Sequence, residues 1–527
     1  LTTLGHVDQN GIIETTDFQR YTFRNNADVK FNDKLSMKLD LSFSNGDRRS
    51  SPYQGTIFNY MNTRSADIPN QFSTGLYNGL GLQGNNPVAL MLEGGQNKNN
   101  TLRLSGAITL TYEPVEWLSL QGMLAPRYAT TNKHNWKKPV TTYQDMEGTA
   151  TLTSTPYATL TESGSRAFYG NYNFLMTFKK NFSGHDLKLI LGAERNTYDY
   201  KYLSAYRQVF NYPDYDQIDV GEIENMDNSG HRYEWAIQSY FGRLNYNFKE
   251  RYLLEANLRI DGSSRFSKSN RWGYFPSVSG AWRISEESFV KDNVDWITNL
   301  KLRASYGMTG NYSIAAYATL GSLFGRYANF GFGGETHLPG LEPSTRPTPD
   351  LGWECNKMLD IGLDFGFLNG RIFGTVEYYD SKSYDLLYLK VLPYTTGFNQ
   401  AWTNIGDTRN RGWEVSLSTV PIQKKDFTLN VNLSYYRNKE ELVRLQDPNM
   451  KQDLNNNLFV GYPVNGVHYN YKQVGIWQLD EADMAALYGQ KPGEVKVADL
   501  DGNGVIDGND RTILGTTRPD WVGGLSI

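Results

Sequence analysis

Cysteine is nearly absent from the sequence, because Cys355 is the only one among 527 residues. A single thiol excludes an internal disulfide framework and any metal site built from several cysteines. An excess of charge of one sign is also missing, since 52 Lys and Arg face 56 Asp and Glu, a formal net charge of −4. Proteins that bind nucleic acid need a basic surface, so this balance argues against that function.

Long hydrophobic runs are missing as well. The sequence has no segment of about 18 apolar residues, which excludes a transmembrane helix, and its mean hydropathy is −0.55. A transmembrane β-barrel is still compatible with these values, since half of each strand faces a polar interior. Aromatic residues, by contrast, make up 14% of the chain. Disordered chains are poor in aromatics, so we expect a folded protein.

Apolar and polar residues alternate along many segments, for example at 35–44, 252–261 and 427–435. Successive side chains of a β-strand point to opposite faces, so each segment has one apolar and one polar face. We count about fifteen such strands, and many reach the roughly ten residues that a tilted membrane strand needs. Strands of soluble proteins are typically about 5–6 residues long. A helical period is weak and is found near Glu481–Leu487.

Short and long connections alternate between these strands, apart from two middle links of intermediate length at about 262–272 and 286–298. In an up-and-down antiparallel sheet, alternate connections lie at opposite ends, so one end carries tight turns and the other carries large loops. This asymmetry is typical of outer-membrane barrels, which have short periplasmic turns and long extracellular loops. Short turns are expected near 32–33, 114–116, 183–185, 249–250, 369–370 and 423–425, and long loops at about 45–100, 130–165, 201–230, 310–353, 385–408 and 438–519.

The pattern thus predicts an all-β protein with the fold of an antiparallel, up-and-down transmembrane β-barrel. Aromatic residues near the turns support this prediction, such as Tyr112 and Trp117 around one turn and Phe248 and Tyr252 around another. Such residues form girdles at the level of the lipid headgroups. A soluble β-sandwich or propeller also has alternating strands, but the long strands and the turn asymmetry favour the membrane barrel. No clear repeat of about 40–50 residues, as in propeller blades, is found.

The sharpest local motif is an acidic, glycine-containing loop at residues 499–510. A calcium loop of the EF-hand type needs oxygen ligands at positions 1, 3, 5, 7 and 12, often a water-bridged ligand at position 9, and glycine at position 6. Gly504 occupies position 6, and position 12 is Asp rather than Glu, as in dockerin-type loops. A solvated turn is the alternative. The predicted ligands of a structural Ca²⁺ ion are Asp499, Asp501, Asn503, Val505, Asp507 and Asp510.

Aromatic residues in the predicted long loops are candidates for ligand contact. Aromatic faces stack on sugar rings, although the same residues would also suit peptides, a protein partner or simple packing of the loops. We predict no catalytic residues, because the sequence lacks the nucleophile-elbow, zinc-protease and phosphate-loop patterns. The predicted substrate-binding residues are Tyr317, Tyr327, Phe330, Tyr394, Phe398 and Trp402.

Short motifs are distributed in a characteristic order along nearly the whole chain. They are Ser239–Tyr246, Arg251–Leu254, Arg259–Phe266, Arg271–Arg283, Leu302–Gly307, Asp350–Glu354, Asn404–Gly406, Asn410–Glu414 and Arg518–Gly524, the last preceded by the acidic loop. Together they resemble the SusC/RagA-type TonB-dependent transporters of the Bacteroidetes outer membrane. None of these motifs is catalytic, so the resemblance points to a transporter rather than to an enzyme.

The resemblance implies a barrel of about 22 strands in the outer membrane, an N-terminal plug inside it and a TonB box that couples it to the TonB complex. It also implies a SusD-like surface lipoprotein that caps the barrel. We therefore expect residues 1–527 to be part of the barrel domain, with residues 438–519 as a long extracellular loop. The chain opens at Leu1 without a signal peptide and closes at Ile527 within a strand-like run. We expect a fragment that lacks the plug and the last strands.

The function that the resemblance predicts is active import of a nutrient oligomer across the outer membrane, with an oligosaccharide favoured as the substrate. A peptide importer of the same family is one alternative. A surface adhesin or receptor, which displays calcium-stabilised loops and transports nothing, is another. A barrel enzyme is the least favoured hypothesis, because no sequence motif supports it.

Overall fold

Most of the chain forms long β-strands in the computed structural model. The structure describes residues 1–81, 85–212, 214–329, 337–445, 447 and 449–527, and the side chains of 322–344 are not described. The chain divides into two units, Leu1–Phe178 with Leu191–Tyr240 and Lys179–Ile190 with Phe241–Ile527. Among the described residues, no helix is both long enough and apolar enough to cross a membrane.

The first unit contains eight long strands, and some residues of the last three belong to the second unit. Their order in the sheet is β1-β2-β3-β4-β5-β8-β9-β10, and the pairs from β1 to β8 are antiparallel. The strands are β1 (Thr2–Asn10), β2 (Asp17–Lys30), β3 (Leu35–Ser50), β4 (Gly95–Val115), β5 (Leu118–Lys137), β6 (Thr141–Tyr143), β7 (Thr151–Thr153), β8 (Thr159–Phe182), β9 (His185–Gln208) and β10 (Asp227–Phe248), and the helices are α1 (Gln54–Thr63) and α2 (Pro87–Glu93).

The second unit continues the pattern with eight further sheet strands in the order β11-β12-β13-β16-β17-β20-β21-β28. Short hairpins and two helices lie in its connections. The strands are β11 (Tyr252–Ser263), β12 (Trp272–Arg283), β13 (Ile297–Asn311), β14 (Ser322–Asn329), β15 (His337–Thr345), β16 (Glu354–Phe367), β17 (Ile372–Tyr384), β18 (Leu387–Val391), β19 (Gln400–Asn404), β20 (Asp407–Lys424), β21 (Phe427–Arg444), β22 (Gln452–Asp453), β23 (Leu458–Phe459), β24 (Val467–Tyr471), β25 (Gln473–Ile476), β26 (Val495–Val497), β27 (Arg511–Thr516) and β28 (Val522–Ser526), and the helices are α3 (Ser288–Lys291) and α4 (Ala482–Leu487).

The predicted alternation of short and long connections is confirmed except at two middle connections, 264–271 and 284–296, which are of intermediate length. Each predicted turn and each predicted long loop coincides with a connection between consecutive sheet strands. The long connections span 51–94, 138–158, 209–226, 312–353, 385–406 and 445–521, and the predicted turns lie at 31–34, 116–117, 183–184, 249–251, 368–371 and 425–426. The weak helical period near Glu481–Leu487 corresponds to α4, whereas the two helices in 51–94 were not predicted.

Many of the long strands have one exposed apolar face. In β4, the side chains of Leu104, Ile108 and Leu110 are exposed, and in β11 those of Leu254 and Leu258 are exposed. Apolar surface left in water costs roughly 25 cal/mol per Å², so faces of this extent are stable where lipid covers them. The alternation of side chains along the strands is therefore that of a membrane-facing sheet.

The buried cores lie mainly at the strand ends next to the long connections and within these connections, because the sheet faces themselves are open. In the first unit, Tyr53, Ile57, Ala89, Leu90 and Val140 form one such core beneath α1 and α2. Asn86 caps α2 by accepting the N–H groups of Val88 and Ala89, and Pro87 follows it at the first helical position. Large connections with cores of their own can present side chains in defined positions.

Candidate metal site and ligand-facing loops

The predicted metal loop lies in the connection between β21 and β28, directly after α4 and β26. A capping box formed by Gln478 and Glu481 precedes α4. The ring of Trp477 stacks on Tyr488 with 5.9 Å between centroids, and Lys496 Nζ lies 4.2 Å from the centroid of Trp477. These contacts pack Tyr488, at the end of α4, and Lys496 against Trp477.

Three of the predicted ligands converge in this loop. One carboxylate oxygen from each of Asp499, Asp501 and Asp510 lies within 4.8 Å of the other two. Asp510 is completely buried, whereas Asp501 is exposed. Three like charges so close together repel one another, and a divalent cation between them would remove that repulsion.

The loop backbone curls around the carboxylate of Asp499. The Gly502 and Gly504 amides donate to its Oδ1 and Oδ2 at 2.7 and 2.8 Å, and the Tyr488 hydroxyl donates to Oδ2 at 3.3 Å. The Gly504 amide, assisted by these other donors, holds the pKa of Asp499 below its usual range. Gly504 has a φ of +81°, a left-handed conformation that glycine adopts without strain.

Asp510 closes the loop on its buried side. Its Oδ1 accepts the Leu500 amide at 2.7 Å and its Oδ2 accepts the Asp507 amide at 2.8 Å. Asn503 Oδ1 accepts the amide of Val505 at 2.7 Å. Asp507 in turn caps the following 3₁₀ turn.

The structure therefore brings together the carboxylates of three of the six predicted ligands. Asn503 Nδ2 donates to Asp501 Oδ2 at 3.0 Å, and the roles of Asn503, Val505 and Asp507 as ligands stay predictions. A set of oxygen donors with three carboxylates suits Ca²⁺, which accepts six to eight oxygens in flexible geometry. Tyr488, which contacts Asp499, was not predicted. Its position at the end of a helical segment was the only signal in the sequence.

The predicted ligand-contacting aromatics lie at several places in the second unit. Tyr394 is 91% exposed in the turn between β18 and β19, and Phe398 lies in the same turn. Tyr317 is half-exposed in the connection after β13. Phe330 lies outside the described residues, and Tyr327 lies on β14, whose side chains are not described. Their role in ligand contact stays a prediction.

Trp402, the sixth of these residues, packs against a buried cluster that joins three connections of the second unit. The Trp353 Nε1 donates to the Arg271 carbonyl at 3.0 Å. The Asn404 side chain accepts the Gly352 amide at 2.8 Å and donates to the Gly352 carbonyl at 3.1 Å. These motif residues thus support the shape of the loops. The cluster consists of Phe266, Phe275, Ile314, Leu351 and Trp353.

Comparison with known protein sequences identifies one family. Residues 42–491 match the family model described as TonB dependent receptor-like, beta-barrel. The chain is 30% identical over 551 residues to TonB-dependent receptor P26 of Formosa agariphila and 31% identical over 579 residues to TonB-dependent receptor SusC of Bacteroides thetaiotaomicron. Each alignment covers 99% of this chain and 53% or 54% of the relative. The chain thus spans about half the length of these curated relatives.

Comparison with solved structures supports the same fold. The structure of the RagAB peptide transporter aligns with a TM-score of 0.78 at 22% sequence identity, covering 99% of this chain and 57% of the other. A further structure of the RagAB peptide importer, in an open-open state, aligns with the same TM-score. The predicted fold class is therefore confirmed. The acidic loop at 499–510 lies beyond the residues that match the family model.

Proposed function

The chain belongs to the TonB-dependent receptor family, as part of its β-barrel, and we propose that it forms the barrel wall of a nutrient importer. As a member of this family it is an outer-membrane protein, and the relatives named above are receptors rather than enzymes. The observation that carries the proposal is the exposed apolar face of long strands that alternate between short turns and large connections. Such a wall separates lipid from a polar interior through which a solute can pass.

We propose an oligosaccharide as the imported nutrient, with a peptide as the alternative within the same class of transporter. A SusD-like surface lipoprotein would cap the large connections, and a TonB complex would supply the energy. The solved RagAB structures are those of a peptide transporter, but at 22% identity they support the fold and leave the substrate open. The half-exposed and exposed loop residues Tyr317 and Tyr394 are proposed ligand contacts.

We also propose that residues 499–510 hold a structural Ca²⁺ ion. Asp499, Asp501 and Asp510 would supply carboxylate oxygens, and Asn503, the Val505 backbone carbonyl and Asp507 would supply further oxygens. The bound ion would neutralise the three clustered carboxylates and stabilise the connection between β21 and β28. Its role would be structural, because the loop has no nearby group arranged for catalysis among the described residues.

The experiment that tests the importer is made in the native organism. Deletion of the gene should abolish uptake of one class of fluorescently labelled oligomer, glycan or peptide, and re-expression of the full-length protein should restore it. Purification of that protein in mild detergent, followed by mass spectrometry, should recover a surface lipoprotein in stoichiometric amount. A cell that takes up every labelled oligomer equally well without the gene would contradict the proposal and favour a surface receptor or adhesin.

A further inference from the structure

Six aromatic rings form a continuous group on β9 and β10 in the first unit. Neighbouring rings in this group have centroids 5.1–6.5 Å apart. Several are nearly parallel, with interplanar angles of 6° for Tyr198 with Tyr200 and 8° for His231 with Tyr233. We name this group the aromatic column, and its members are Tyr198, Tyr200, Tyr202, His231, Tyr233 and Trp235.

The aromatic column lies on the polar face of the sheet. The exposed apolar residues Leu191 and Leu203 occupy odd positions of β9 and Tyr240 occupies an even position of β10. The members of the column have the opposite parity on each strand, and successive side chains alternate between faces. In a transmembrane barrel the face opposite the apolar one lines the interior. The column is therefore placed along the route that an imported solute would follow.

Glu194 of β9 lies on this face at the end of the aromatic column, where its carboxylate accepts Asn196 Nδ2 at 2.9 Å. Every second residue from Asn196 to Gln208 on β9, and from Ser229 to Ser239 on β10, is something other than Asp, Glu, Lys or Arg, and all these positions are described. The charges of these segments lie on the other face, where Arg232 and Asp199 form an ion pair at 2.9 Å. Between Asn196 and Gln208, a solute on the polar face thus meets rings and neutral polar groups.

Hydroxyl groups extend the aromatic column toward the connection at 209–226. Ser204 Oγ and Ser229 Oγ lie 2.8 Å apart, and the Tyr206 hydroxyl donates to Gln208 Oε1 at 3.2 Å. At about 3.3 Å per residue, the stretch from Asn196 to Gln208 measures roughly 40 Å. A surface of this length can contact several units of an oligomer at once.

We propose that the aromatic column and these hydroxyl groups form a binding surface for a neutral oligosaccharide inside the barrel. This inference rests on the proposed importer function and specifies its substrate class. Sugars combine apolar ring faces with many hydroxyl groups, and tyrosine offers both an aromatic body and a polar tip at low entropic cost. A ligand recognised through charges along its length would need several oppositely charged partners, whereas the nearest charged residues of this face, Glu194 and Asp227, lie at the ends of the stretch.

The test is a titration of the purified full-length protein in detergent. The probes are the neutral oligosaccharides maltoheptaose, cellohexaose, xylohexaose and mannohexaose, a charged oligogalacturonate, and a tryptic digest of casein. We expect at least one neutral oligosaccharide to bind. Its dissociation constant should rise at least tenfold in the double variant Tyr198→Ala with Tyr200→Ala, and less in Tyr200→Phe, which keeps the ring.

The matched control is Tyr172→Ala on β8, because Tyr172 is an exposed aromatic on the apolar face. It should leave the dissociation constant unchanged, and all variants should first show wild-type circular dichroism. The inference is wrong if no neutral oligosaccharide of the panel binds or if only peptides bind. It is also wrong if the double variant has the same dissociation constant as the wild type. If cells with the double variant take up the oligosaccharide as well as the wild type does, the proposed role of the aromatic column is wrong. If wild-type cells take up none of the labelled oligomers, the importer function itself is wrong.

Discussion

At the scale of single residues, the three clustered carboxylates lead to a test for calcium. Replacing Asp499 and Asp501 by Ala removes two of the three oxygens that converge, so we expect the affinity for Ca²⁺ to fall at least tenfold. Metal content of the full-length protein after dialysis, measured by plasma mass spectrometry, reports the loss. Protease resistance of the connection between β21 and β28 should fall in parallel.

Asp483→Ala is the matched control for that double variant, because Asp483 is an exposed acid on α4 in the same connection. It should leave both metal content and protease resistance unchanged. Treatment of the wild type with a chelator should reproduce the protease sensitivity of the double variant. Equal metal content in all three proteins would show that residues 499–510 form only a turn.

Glu287 gives a second prediction at this scale, for stability against acid. Its buried carboxylate, in the connection between β12 and β13, accepts the Tyr252 hydroxyl at 2.6 Å, the Trp282 Nε1 at 3.0 Å and Arg251 at 3.1 Å. The Tyr252 hydrogen bond, assisted by Trp282 and Arg251, lowers the pKa of Glu287. A lowered folded-state pKa means that this stabilisation is present above the unfolded value of about 4.3 and is lost as the pH falls through the folded-state pKa.

We therefore expect Glu287→Gln to lower the unfolding temperature of the full-length protein at pH 7 and to reduce the difference between pH 7 and pH 3. Differential scanning fluorimetry across this pH range measures both effects. Glu250→Gln is the control, since the side chain of Glu250 is 80% exposed. An identical pH dependence in wild type and Glu287→Gln would contradict the assigned role of the carboxylate.

The convergence of the three carboxylates could be predicted from their spacing, for a physical reason, whereas the other side-chain contacts of the loop could not. Positions 1, 3 and 12 of such a loop converge whenever the backbone curls, so Asp499, Asp501 and Asp510 meet as expected. Side chains of the intervening residues can instead bond to nearby amides, as Asn503 does with Val505. That local competition cannot be read from spacing.

At the scale of elements, Asn86 fixes the start of α2. Its Oδ1 accepts two helix amides, and its Nδ2 donates to the carbonyls of Asn70 and Asn78 at 2.7 and 2.8 Å. Asn86→Ala removes a cap worth about 1 kcal/mol and leaves those carbonyls without this partner. We expect hydrogen exchange in 87–93 to accelerate at least tenfold, as measured by mass spectrometry.

Asn59→Ala on α1 is the control for the cap, because it makes the same change at an exposed helical position. Exchange in 87–93 should not change in this variant. If Asn86→Ala also left exchange in 87–93 unchanged, the cap would contribute little and packing of Ala89 and Leu90 would account for the helix.

The connection at 51–94, which contains α1 and α2, shows which elements can be predicted from a sequence. Long strands were predicted well, because an alternation of period two extends over many residues and separates an apolar face from a polar one. The helices α1 and α2 were missed because they are short and their apolar residues fill a local core rather than a long amphipathic stripe. The pair Asn86-Pro87 was the available signal, since asparagine caps helices and proline occupies their first position.

At the scale of the whole molecule, the loop aromatics and the aromatic column show why substrate contacts are harder to predict than the fold. A loop tryptophan such as Trp402 can serve a buried cluster, whereas tyrosines within a strand can face the interior. The alternation of a strand assigns Tyr198 and Tyr200 to a face. Only the neighbouring strand shows that His231 and Tyr233 complete the group.

Membrane embedding leads to the last prediction, which compares the two faces of one strand. Ile108 lies on the apolar face of β4 and is 42% exposed, with Leu104 and Leu110 on either side of it. A cation on the lipid face costs up to about 2–4 kcal/mol near the bilayer centre, so Ile108→Arg should destabilise the folded full-length protein in lipid vesicles. Thr109→Arg, on the opposite face, avoids that cost because a polar interior solvates the cation. Urea unfolding of both variants measures the difference, and equal destabilisation by the two substitutions would contradict a lipid-facing Ile108.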